Sequence, residues 1–143
     1  MYPARFSHHS LDAFGVILEA LRLGDAIARE LPRGYGKLTD QLRRALLGAY
    51  LQFTEAAARE GADRNSRLRC ARAEAGESAA ALEAAVVLGL ASEAKVGPVI
   101  VLLDRFCAMV TRLGGLGSID VTPRRVRSAS TSTSDERPCH SFV

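Results

Sequence analysis

The chain has 143 residues and a formal net charge of +3, with 24% of residues charged and 48% hydrophobic. That length supports one core rather than two. No apolar run reaches the roughly 18 residues of a membrane-spanning helix, and no charged, then apolar, then small-residue leader opens the chain, so a soluble, cytoplasmic protein without membrane contact is expected. Cys70, Cys107 and Cys139 are odd in number and lack a C-x-x-C pair, which argues against a disulfide framework and a zinc site. Cys70 and Cys107 read as small core or near-core residues.

Residues 1–10 form an N-terminal extension, after which apolar spacing predicts helices and almost no strand. The first helix is expected from Leu11 to Leu31, with the stripe Leu11, Phe14, Leu18, Leu21, Ala28 and Leu31, Ser10 as N-cap, and Pro32 with Gly34 to stop it. The second is expected from Lys37 to Glu60, with Leu38, Leu42, Ala45, Ala49, Phe53 and Ala56 on one face and Gly61 as its end. The third is expected from Arg64 to Leu90, capped by Asp63 or Asn65, on Leu68, Ala71, Ala75, Ala79, Leu82, Val86 and Leu90. Its alanines permit close approach of helix axes, so it sits centrally or against another subunit, with Ala71, Ala75 and Ala79 as the candidate oligomer contact. The fourth follows Ser92 on Val96, Val99, Ile100, Leu103, Phe106, Val110 and Leu113, ending at Gly114 and Gly115. Pro98 requires that helix either to begin near Gly97 or to kink. Four helices with short connections make an antiparallel up-down four-helix bundle, all-α, over 11–113. Residues 114–143, with "SASTSTS", read as a disordered tail in which Arg124, Arg125 and Arg127 either add phosphate contacts or only solubilise.

Charge is uneven along the chain. Arg33 to Arg72 holds nine basic and four acidic residues, so the remainder sums to −2. Arg43 and Arg44 are adjacent in "LTDQLRRALL", and helical neighbours point about 100° apart, so both cannot hide in a core. One is expected to pair with Asp40 or Glu55 and fix the bundle or its oligomer, while the other faces a ligand. "RNSRLRCAR" places Arg64, Arg67, Arg69 and Arg72 over about 200° of a helical wheel, a collar rather than a face. With Arg59, these arginines form the candidate nucleic-acid-binding set: Arg43, Arg44, Arg59, Arg64, Arg67, Arg69 and Arg72. Planar guanidinium forks suit phosphate oxygens, and the binding would be backbone-directed and salt-dependent. No helix-turn-helix, zinc-finger or aromatic RNA-binding motif is visible, so RNA and DNA both remain candidates.

The order of features also resembles a family of small bacterial four-helix-bundle proteins. These are the proteins encoded in intervening sequences of 23S ribosomal RNA genes and the accessory variability determinant of diversity-generating retroelements. The matching residues are Tyr35 and Gly36, Leu38, Gln41, Leu42, Arg43, Arg44 and Ala45, Glu55, Gly76, Ser78, Leu82, Glu83, Leu88 to Leu90, Ser92 and Glu93. Tyr50, Gln52 and Ala56 stand where the family pattern has proline, asparagine and glycine. The resemblance implies a ring-shaped homopentamer and, for the retroelement branch, binding to nucleic acid and to a reverse transcriptase.

Enzyme chemistry finds little footing. His8, His9 and His140 lie in terminal segments, no third ligand is spaced to join the histidine pair in a metal site, and Cys139 with His140 lacks a rigid frame. "RGYGK" lacks the G-K-[ST] pattern of a phosphate loop and reads as a helix-helix turn; Glu74 and Glu77 read as salt-bridge partners of nearby arginines. A non-enzymatic nucleic-acid-binding protein without cofactor or metal is therefore expected, and the resemblance implies an accessory role as partner of a reverse transcriptase. The alternative is a protein-interaction scaffold of the intervening-sequence type, its basic collar facing an acidic partner.

Overall fold

Apolar residues at helical spacing fold as that spacing dictates. A computed structural model describes residues 6–117, in which the elements are α1 (Asp12–Glu30), α2 (Gly36–Ala57), α3 (Gly61–Val87) and α4 (Glu93–Leu113), with 3-10 turns at Ser7–Ser10 and Arg33–Tyr35 and no strand among the described residues. The low-complexity tail, with Arg124, Arg125, Arg127, Cys139 and His140, lies outside the described residues. Each helix packs on its chain neighbours and α4 returns against α1, closing a four-helix bundle.

The caps decide where the helices start and stop. Ser92 is the N-cap of α4, its Oγ accepting from the Lys95 N–H at 3.3 Å. Pro98 does not delay that start; α4 runs through it, leaving the Ala94 carbonyl without its usual donor. Ser10, by contrast, is not the cap of α1: it closes the 3-10 turn, donating to the Ser7 carbonyl at 2.9 Å. Gly61 belongs to α3 rather than ending α2, and neither Asp63 nor Asn65 caps that helix. At the far ends, Gly89 (φ 72°) and Gly115 (φ 57°) adopt the left-handed conformation that glycine tolerates best. Around them, Leu90 N–H reaches the Ala85 carbonyl and Leu116 N–H the Thr111 carbonyl, each one residue beyond the glycine, in two Schellman motifs. Leu116 then folds back into the core at 8% exposure, so the bundle extends past the expected boundary at Leu113.

The predicted stripes of α2, α3 and α4 supply most of the core, and Phe53 meets Phe106 edge-to-face at 5.6 Å in its centre. In α1 the buried face differs. It runs through Ala13, Val16, Ile17, Ala20, Gly24, Ile27 and Ala28, about 100° round from the expected row, while Phe14 and Leu21 pack at its flank. Ala28 and Leu31 of the expected row are buried, and the rest of the buried face combines small residues with Val16, Ile17 and Ile27. Two polar side chains are buried with partners: Ser78 donates to the Glu74 carbonyl at 2.9 Å, and Gln52 accepts from Arg67 at 3.4 Å. Cys70 is buried, as its reading as a core residue expects, and it is disulfide-bonded, which corrects the expectation against disulfide pairing.

Candidate nucleic-acid interface

The structure divides the seven candidate arginines by what they touch. Arg43 on α2 donates to Asp25 of α1 at 2.9 Å, so its partner is neither Asp40 nor Glu55. Arg59 spans Glu55 at 2.7 Å and Asp63 at 2.6 Å. Arg67 shares the same two carboxylates, at 3.7 and 4.0 Å, besides Gln52. Asp25 is shared with Arg29 at 2.8 Å, so these three candidate charges are offset only in part within the chain, by carboxylates they share. The expected collar is therefore interrupted where α3 faces α2.

Arg44, Arg64 and Arg69 form no ion pair or hydrogen bond among the described residues. Arg44 lies in the field of Glu74 on α3. That carboxylate is pushed up from the ordinary glutamate range by partial burial, then by Glu77, with Arg44 opposing. Glu74 sits against Gly48, where an added Cβ would lie 3.0 Å from its carboxyl carbon. Glu77 accepts from Gln41 at 3.2 Å. Among the described residues neither glutamate forms the expected salt bridge with an arginine; α2 presents Gln41 to Glu77 and Gly48 to Glu74.

Arg72 is held by neutral groups instead. Its Nη1 donates to Thr111 Oγ1 at 3.1 Å and to the Gly117 carbonyl at 3.2 Å, and its own carbonyl accepts from the Cys107 thiol at 3.8 Å. These partners are neutral, so the guanidinium is held without an ion pair among the described residues. Cys107 is a free thiol whose pKa is pushed up by burial, then by Asp104, with Arg72 opposing.

Two further expectations change. Ala71 and Ala75 are 0% exposed within a single chain, and Ala79 is half-buried against the same core; the alanine face is central, so it offers no surface to a second subunit. His8 and His9 are not loose. They pack at 4.4 Å from each other and at 5.3 and 5.1 Å from Phe14, joining the 3-10 turn to α1. No group of three or more His, Cys, Asp or Glu side chains poised for a metal occurs among the described residues.

No protein-family model matches the chain, and no curated protein matches it. No helix of the described residues is long and apolar enough to cross a membrane.

Proposed function

We propose that this chain is a non-enzymatic accessory protein that binds RNA or DNA through the phosphate backbone. The observation that carries the reading is the unequal partnering of the arginines: among the described residues Arg64 and Arg69 have no carboxylate partner, and Arg72 is hydrogen-bonded by neutral acceptors. A cation held in position without a counter-charge suits a mobile polyanion, because binding then releases condensed counterions at little ordering cost. The resemblance at "QLRRA" extends the reading to a cytoplasmic retroelement accessory protein acting with a reverse transcriptase as a ring homopentamer. Contact between copies is supported by Leu47 and Leu51, neighbours on the outer face of α2 that are 48% and 37% exposed. Those same side chains favour the second reading, a protein-interaction scaffold of the intervening-sequence type.

Anisotropy of labelled single-stranded RNA and DNA oligonucleotides across a salt series tests the proposal. The expected result is tight binding whose log K falls linearly with log salt, by about 0.7 per phosphate neutralised. Absence of binding at low salt, with the fold intact, would favour the scaffold.

A further inference from the structure

The outer face of α2 is left uncovered by both of its neighbours. Arg43 reaches α1 through Asp25 and Gln41 reaches α3 through Glu77, so the positions between those two directions point away from the bundle. They are Asp40, Arg44, Leu47, Leu51 and Ala58, within about 60° of one another on the helical wheel, and all are exposed. Leu47 and Leu51 stand at the centre of this face at 48% and 37% exposure. Beside Leu51 a groove is lined by Phe6, Thr54 and Ala58, with Glu55 in its wall. With Phe6 at 65% exposure, three of the seven exposed large hydrophobic side chains among the described residues gather here, a patch that calls for a cover.

Reversed, the face complements itself. Two antiparallel copies of α2, related by a twofold axis beside Ala49, bring Leu47 of each against Leu51 of the other. The same register sets Arg44 opposite the partner's Thr54 and Glu55. Arg44 and Glu55 lie about 20° apart on the wheel, and the twofold keeps each side chain on its own side of the contact, so guanidinium and carboxylate meet. Arg44 forms no ion pair of its own among the described residues and feels only the field of Glu74. Glu55 already holds Arg59 at 2.7 Å and Arg67 at 3.7 Å, yet its side chain stays 30% exposed. An ionised carboxylate accepts from about four directions, which leaves room for a third guanidinium.

We propose that the outer face of α2 is a self-recognition surface, on which a second copy of this chain docks antiparallel, Leu47 against Leu51, flanked by two Arg44–Glu55 pairs. The proposal rests on the contact between copies in the reading above and specifies it as reciprocal. A reciprocal contact closes on two chains, so assemblies built with it hold an even number of copies, and five-membered rings joined by it pair into ten. The apolar centre and the mixed signs of Asp40, Arg44 and Glu55 suit another protein face better than a phosphate backbone.

The test is the mass of the full-length protein by sedimentation equilibrium, for the parent and for Arg44→Glu and Glu55→Arg, each first verified as folded by circular dichroism. The parent is expected at an even multiple of the chain mass. Each single variant sets like charges against each other at both pairs and should weaken the contact roughly tenfold or more. Mixed one to one, the two variants recreate both attractive pairs and assemble with each other. Leu47→Glu leaves Glu55 and its arginines untouched and should dissociate the copies; it decides the case if Glu55→Arg does not fold. A parent of five chains, a mass that neither Arg44→Glu nor Leu47→Glu lowers, or folded charge variants that stay apart on mixing overturns the reciprocal pairing and leaves the ring reading standing. A parent that remains a single chain overturns contact between copies altogether.

Discussion

Arg43 and Asp25 join α2 to α1 through a hydrogen-bonded ion pair of 2.9 Å, while the adjacent Arg44 lies within electrostatic reach of Glu74 on α3. The double arginine is thus split between two neighbouring helices. Both partners of the Arg43 pair are substantially exposed, so Arg43→Ala should cost about 0.5–1 kcal/mol in urea unfolding. Arg44→Ala should change stability by no more than about 0.5 kcal/mol. Equal costs would contradict this division of roles.

Ala75 is fully buried, so Ala75→Arg would force an unpaired charge into the bundle and should cost about 3–5 kcal/mol, read as lost helical signal or a sharply lower melting temperature. Leu51→Glu lies outside the core and should leave that melting temperature nearly unchanged. If α2 makes the contact between copies, Leu51→Glu lowers the sedimentation coefficient of a folded protein. A folded Ala75→Arg variant would place α3 elsewhere than the centre.

The raised pKa of Glu74 fixes the sign of a pH effect. Its neutral form is favoured in the fold, so its contribution is best at acidic pH and declines as pH rises through the folded value. Glu74→Gln should therefore stabilise the protein at neutral pH and lose that advantage near pH 4, compared by denaturant midpoints. The gain should not exceed about 0.5 kcal/mol, because the carboxyl is largely solvent-screened. Arg44→Gln removes the opposing cation and should raise the Glu74 pKa further.

His8 has its pKa lowered, chiefly by desolvation and then by His9. Its neutral form is favoured when packed, so docking of the 3-10 turn on Phe14 is complete above the ordinary histidine range and weakens as pH falls through it. Glu55, which lines the groove beside His8, is already engaged by Arg59 and Arg67. Amide shifts of residues 7–10 should move together in an acid titration. A turn that stays docked below pH 5 would contradict this.

Legibility in the sequence followed the physics. The stripes of α2 and α4 were readable because large apolar residues recur there on one face, and Ser92 because a serine cap acts through its immediate neighbours. The face of α1 was not, since small residues such as Ala20 and Gly24 signal little hydrophobicity and matter only when another helix approaches. The fate of the arginines was equally hidden: Asp25 lies 18 residues from Arg43, and Thr111 lies 39 from Arg72.

The most direct test of the nucleic-acid reading is a salt titration of RNA and DNA binding by the intact protein, with its mass measured on the same samples. The account predicts submicromolar binding at low salt that weakens linearly in log salt and is lost when Arg64, Arg69 and Arg72 become glutamate in a folded protein of unchanged mass. Binding unaffected by those substitutions, or no binding at low salt, would contradict it.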